Sequence, residues 1–120
     1  MNSYKTHRDL DVWKISMDFT IDLYAITDTF QTDEKFGLVM QIRRAAVSIP
    51  SNISEGAARF SSKEFVYFLY IALGSVAEIE TQLEIAFRLD YINSTKLEQE
   101  TLDRIRRMLI GLIKQIQTKV

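Results

Sequence analysis

Few side chains in this chain are equipped for chemistry, and their spacing limits what each can do. His7 is the single histidine and there is no cysteine, so disulfides, thiolate metal sites and cysteine nucleophiles are excluded together. A serine nucleophile needs a base and an orienting acid. The one histidine stands before the first helical pattern, where it reads as a solvated tail residue. Glu78, Glu80 and Glu84 crowd one segment, the residue type of a carboxylate metal centre. Di-iron bundles build such centres from Glu-x-x-His motifs on facing helices, and no such motif occurs, so a solvated or ion-paired face is expected. Neither standard glycine-rich phosphate loop is present. The expectation is a non-enzyme with no catalytic residue, metal or cofactor.

What remains is a polar helix face. Gln41, Arg44, Ser48, Asn52, Glu55 and Arg59 recur at spacings of three and four, which places them on one side of a helix. Arg43 and Lys63 add positive charge suited to phosphate oxygens. Tyr67 and Tyr70 carry rings on which bases can stack, although aromatic residues at this spacing also read as core. Within the segment stands Pro50, the only proline. Apolar Leu38, Ile42, Ala45, Ile49 and Ile53 keep helical spacing straight through it. An interior proline removes a hydrogen bond and costs about 3 kcal/mol unless something compensates. The Ala46 carbonyl is then open to water, a side chain or a ligand, with Ser51 and Asn52 offering local repair. Two readings follow. The face either repairs a kinked helix, or it is a nucleic-acid or partner surface made of Arg43, Arg44, Ser48, Asn52, Glu55, Arg59 and Lys63.

The elements that hold these residues are helical throughout. Periodicity predicts helices over about 9–30, 33–59, 61–90 and 94–118, as an all-α single domain with residues 1–8 as a flexible tail. Asp33 with Glu34 marks one start, while Ser61 with Glu64, and Thr95 with Glu98, have capping-box spacing. Short connections force antiparallel neighbours, hence an up-down-up-down four-helix bundle. The third pattern shows Phe65, Phe68, Leu69, Ala72, Val76, Ile79, Leu83 and Phe87 as its main stripe, with Val66, Tyr67, Tyr70 and Ile71 apolar around it. In the fourth, Leu97, Leu102, Ile105, Leu109, Leu112 and Ile116 point inward.

The first helix carries two apolar stripes. Leu10, Trp13, Met17, Ile21 and Tyr24 line one side, and Val12, Ile15, Phe19, Leu23, Ile26 and Phe30 nearly the opposite one. A helix on the rim of a monomeric bundle needs one stripe. The second implies a subunit interface, assigned here to Val12, Ile15, Phe19, Leu23 and Ile26, and a homo-oligomer.

Composition frames these readings. With 120 residues, 47% hydrophobic and 26% charged, the chain is ordinary globular material for one core. The longest charge-free stretch, Phe65 to Ala77, is shorter than the roughly 18–20 apolar residues of a membrane span, and no signal-peptide core opens the chain. A cytoplasmic protein without membrane contact is expected. Net charge is −1, against indiscriminate polyanion binding, but acids gather in Asp9–Phe30 and bases in Asp103–Val120. That asymmetry makes either a basic patch or mutually attracting helices.

The run QIRRAAVSIPSNISEGAARFSSKEF, from Gln41 to Phe65, resembles the hallmark of the four-helix-bundle proteins named for 23S rRNA intervening sequences. The resemblance extends to DLDVWK (Asp9 to Lys14), IALGSVAEIETQL (Ile71 to Leu83) and MLIGLIKQI (Met108 to Ile116), nearly the whole chain. Gln31 departs from it, standing where a proline is expected. These proteins are often labelled ribosomal, a label that comes from gene location inside rRNA genes. The resemblance implies a ring-like homopentamer with no established enzymatic activity. It also implies a fold similar to the accessory variability determinant of diversity-generating retroelements, a strongly basic relative that binds nucleic acid and a reverse transcriptase. The leading expectation is a homo-oligomeric scaffold that contacts RNA or DNA, and the alternative is a module that recruits a protein partner.

Overall fold

A computed structural model describes residues 6–31, 33 and 37–118. A 3₁₀ turn over His7–Asp9 leads into α1 (Asp11–Thr27), followed by α2 (Leu38–Ala57), α3 (Ser62–Arg88) and α4 (Lys96–Thr118). No strand occurs among the described residues. Each helix packs on its chain neighbours and α1 also meets α4, so the helices stand in a ring of four with α2 and α3 in the most extensive contact. The expected antiparallel bundle is what forms, 47 × 23 × 19 Å in extent.

The helix ends show which local signals were read correctly. Ser61 caps α3, its hydroxyl accepting from the Glu64 N–H at 3.3 Å. The start of α2 differs: it begins at Leu38 behind Gly37, with no side-chain cap, rather than near Asp33, and Glu34 lies outside the described residues. The residues just before α1 are not tail-like from Thr6 onward. Thr6 and Asp9 close a capping box, and His7 packs edge-on against Trp13 at 5.1 Å. At the end of α3 the Tyr91 N–H reaches the Ala86 carbonyl at 2.9 Å and the Asp90 N–H reaches that of Phe87 at 3.0 Å. This double closure needs a left-handed residue, and Asp90 supplies it at φ 63°.

The core is one apolar column. Val12, Phe19 and Leu23 come from α1, Ile42, Ile49 and Ile53 from α2, Leu69, Val76, Ile79 and Leu83 from α3, and Leu102, Ile105 and Leu109 from α4. Leu97 and Phe87 depart from expectation: they stand 71% and 43% exposed, because each lies at a helix end beyond the column. Gly56 marks the tightest approach of α2 to α3. A Cβ there would lie 2.9 Å from both Phe65 Cδ1 and Phe68 Cβ, and 3.2 Å from the Phe65 carbonyl oxygen.

Two stability measurements follow from these positions. Gly56→Ala should destabilise by about 1–3 kcal/mol, the range for overpacking a well-filled contact, read as a lower urea midpoint with an unchanged slope. Asp90→Gly should raise stability by about 1 kcal/mol, since a left-handed backbone costs an L-residue about that much; an unchanged or lower melting temperature would contradict the reading of this turn.

Candidate functional site

The polar face of α2 is best followed outward from Pro50. The proline is buried and the helix continues through it. Its missing donor is made up in part from another helix: the Thr20 hydroxyl of α1 shares its one proton between the Ser16 carbonyl at 2.7 Å and the Ala46 carbonyl at 3.2 Å. The orphaned carbonyl is therefore part of the α1–α2 contact. Asn52 has a different task, its amide donating to the Ser48 carbonyl at 2.8 Å and to the Ser48 hydroxyl at 2.9 Å. Ser75 of α3 donates to that same hydroxyl at 2.8 Å. Of the two residues expected as contacts, Ser48 thus joins α2 to α3 and Asn52 braces Ser48 within α2.

The charged members divide in the same way. Arg43 turns toward α1, where its Nε donates to the Thr27 hydroxyl at 2.9 Å and its Nη2 to the Tyr24 carbonyl at 3.0 Å. Nη2 also pairs with Asp28 at 3.2 Å, and the guanidinium lies over the Tyr24 ring at 4.5 Å. A cation at the end of α1 satisfies a late carbonyl and opposes the helix dipole. Arg59 is held by Glu55 at 3.0 Å and Glu64 at 3.5 Å, over the Phe68 ring at 5.0 Å. Arg44 and Lys63 are the two candidate cations without a carboxylate partner among the described residues; Arg44 touches the Met40 sulfur at 3.8 Å.

The interface assignment on α1 is corrected by burial. Val12, Phe19 and Leu23 are at most 4% exposed within one chain, and Ile15 and Ile26 pack against the same core. The outward side is part of the other stripe, Met17, Ile21 and Tyr24, of which Ile21 is 66% exposed. Thr20 and Thr27 explain the choice: both must face α2 to reach Ala46 and Arg43, and that rotation carries Phe19 and Leu23 inward. The hydroxyl row Ser16, Thr20 and Thr27, at spacings of four and seven inside one stripe, was the sequence signal that could have decided it. On α3 the apolar surplus does emerge, with Tyr67 62% and Tyr70 54% exposed.

The carboxylates and the basic end of the chain complete the surface. Glu80 binds Arg106, which Asp103 also holds at 2.9 Å, and the hydrogen bond to Glu80 pushes the Arg106 pKa up. Glu84 pairs with Arg88 at 2.8 Å. Among the described residues no group of three potential ligands could hold a metal. Among the described residues, Arg104 and Lys114 of α4 have no carboxylate partner, Arg107 meets Asp103 at 3.4 Å from the surface, and Asp11, Asp18 and Asp22 of α1 are likewise unpaired, so the described acids of α1 and bases of α4 do not pair with one another.

A ring of four antiparallel helices around one apolar column defines the class: an all-α four-helix bundle. The chain belongs to the 23S rRNA-intervening sequence protein family, whose pattern matches residues 8–111. It is similar to a crystal structure from Bacteroides thetaiotaomicron, described as a protein of unknown function from the S23 ribosomal protein family. That likeness has 30% sequence identity and a TM-score of 0.78, and covers 86% of this chain and 95% of the other. No curated protein matches the chain. No helix of the structure is long and apolar enough to cross a membrane.

The repair of Pro50 can be measured. Thr20→Val should destabilise by about 1–3 kcal/mol, the penalty for stranding a buried acceptor. In a Pro50→Ala background, where residue 50 regains its N–H, the same change should cost at least about 1 kcal/mol less. Equal costs in the two backgrounds would show that the hydroxyl does not serve the Ala46 carbonyl.

Proposed function

We propose that this protein is a non-enzymatic, cytoplasmic, homo-oligomeric scaffold that contacts RNA or DNA through α4. The observation that carries the reading is the exposure of large apolar side chains in the middle of helices, Ile21 at 66%, Tyr67 at 62% and Tyr70 at 54%. Large apolar side chains exposed in this way support association surfaces. The family resemblance supports five copies as the number. Nucleic-acid contact falls to Arg104, Arg107 and Lys114, with Lys63 near the same end beside Ile116 and Gln117. Arg43 and Arg59 are committed to structural pairs and contribute little free charge. A basic row that is modest on one chain is multiplied in a ring, where several weak contacts act together.

A second reading has its own observation. The unpaired acids Asp11, Asp18 and Asp22 repel phosphate and suit a basic protein surface, so a recruited protein partner is the alternative.

Fluorescence anisotropy with a structured RNA and a duplex DNA tests the leading reading. Affinity should fall between about 50 and 200 mM salt, with a logarithmic slope set by the number of phosphates neutralised. Arg104→Glu combined with Lys114→Glu should weaken binding at least tenfold and flatten that slope, while Arg43→Gln should leave it unchanged. No binding at low salt, together with capture of a discrete protein, would replace the nucleic-acid reading with the protein-partner one.

A further inference from the structure

Two helix surfaces of this bundle have the pattern of a packing seam and stand exposed, with no helix packed over them among the described residues. On α2, Met40, Arg44 and Val47 follow at spacings of four and three, beside Met17, Ile21 and Tyr24 of α1 at the same spacings; all six are exposed. Tyr24, Met40, Arg44 and Val47 line one shallow depression of about 400 Å³, which joins the two rows. On α3, Tyr67, Ile71, Gly74, Glu78 and Ile85 continue a similar row, again all exposed. Alternation of three and four is the spacing by which helices share a seam.

The α3 row has three features that its own chain leaves unexplained. Gly74 sits mid-helix, where glycine weakens a helix relative to alanine, yet a Cβ there would meet nothing within 4 Å. Glu78 has no cationic partner among the described residues. Gln82 is only 8% exposed, and its Oε1 is a buried acceptor with no donor. All three line one notch of about 410 Å³ between α2 and α3. Its chemistry is a bare helix surface, a carboxylate and an amide oxygen lacking a donor. A guanidinium answers all of these, being flat, cationic and made only of donors.

The α1–α2 surface carries such a group. Arg44 is exposed, and its one polar contact among the described residues is the Met40 sulfur at 3.8 Å. We infer that copies of this chain dock head to tail, with Arg44 of one copy seated in the notch formed by Gly74, Glu78 and Gln82 of the next. Met17, Ile21 and Tyr24 then cover Tyr67 and Ile71. The occupant is a second copy because exposed Arg44 on one surface and exposed Glu78 on the other are opposite in charge, whereas a two-fold pairing of either surface with itself sets like charges across one contact. Such a heterologous contact repeats around the assembly and closes into a ring when its rotation permits. The inference deepens the homo-oligomer reading above and rests on it. It leaves α4 free for nucleic acid.

The test is a mass measurement by sedimentation or light scattering on the wild type, Arg44→Glu, Glu78→Arg and the two combined, with circular dichroism showing that each is folded. The wild type should be a multimer, each single variant should fall toward the 13.9 kDa monomer, and the combined variant should regain the wild-type mass because the charges have exchanged places. An equimolar mixture of Ile21→Glu and Ile71→Glu chains should form a dimer, since each keeps the surface that the other lost. A multimeric wild type whose single variants keep its mass, a combined variant that stays monomeric, or a mixture that does not associate overturns this pairing and leaves the oligomer standing. A monomeric wild type overturns both.

Discussion

Pro50 leaves the Ala46 carbonyl without its helical donor, and the Thr20 hydroxyl reaches across from α1 to take that place at 3.2 Å. A buried acceptor without a partner is costly, so the contact is a constraint on how α1 can sit. It fixes the rotation of that helix about its own axis, and Arg43 reinforces it by grasping Thr27, Tyr24 and Asp28 at the far end. Once Thr20 and Thr27 face α2, Phe19 and Leu23 must enter the core and Ile21 must leave it. The identity of the outer surface therefore follows from one missing N–H on a different helix.

The same economy governs the polar face of α2. Residues that looked like a contact surface are spent on holding helices, Ser48 accepting from Ser75 across the α2–α3 seam with Asn52 bracing Ser48 from its own helix, and Arg59 pairing with Glu55 and Glu64 at the end of that seam. Gly56 permits the closeness that these bonds need, since its missing Cβ is where Phe65 and Phe68 pass. The segment from Gln41 to Gly56 is distinctive because it must bring two helices together around a proline. Among the described residues, the groups left unpaired lie elsewhere: Arg44, the exposed row of α3, Asp11, Asp18 and Asp22 of α1, and Arg104 and Lys114 of α4. This separation is why a chain of net charge −1 can still present surfaces of opposite sign.

Much of the architecture was legible without coordinates because period and punctuation are local properties. Four helices, their antiparallel order and the capping of α3 by Ser61 all follow from apolar spacing, short connections and hydroxyl chemistry. The start of α2 was misplaced because an acidic residue in a plausible capping position resembles a cap whether or not a helix follows. The site was less legible. Helical spacing correctly put Ser48, Asn52 and Arg59 on one side, yet it could not say that Ser48 and Arg59 reach α3 while Arg44 on the same side stays exposed. The choice between the two stripes of α1 failed for a related reason: both have the right period, and hydrophobicity alone ranks them equally.

By itself, the sequence determined that this protein is a cysteine-free, all-helical bundle, that a proline interrupts a helix which nonetheless continues, and that more apolar surface exists than one small core can bury. Those follow from composition and from repeat distances along a single helix, which a linear code carries in full. Tertiary structure alone decided which apolar stripe faces inward, which arginines are already paired, and where a glycine, a glutamate and an unsatisfied glutamine converge. Each of those depends on the rotation of one helix against another, and that rotation is set by contacts between residues on different helices, such as Thr27 with Arg43, Thr20 with Ala46 and Ser48 with Ser75, which no spacing rule within a helix encodes.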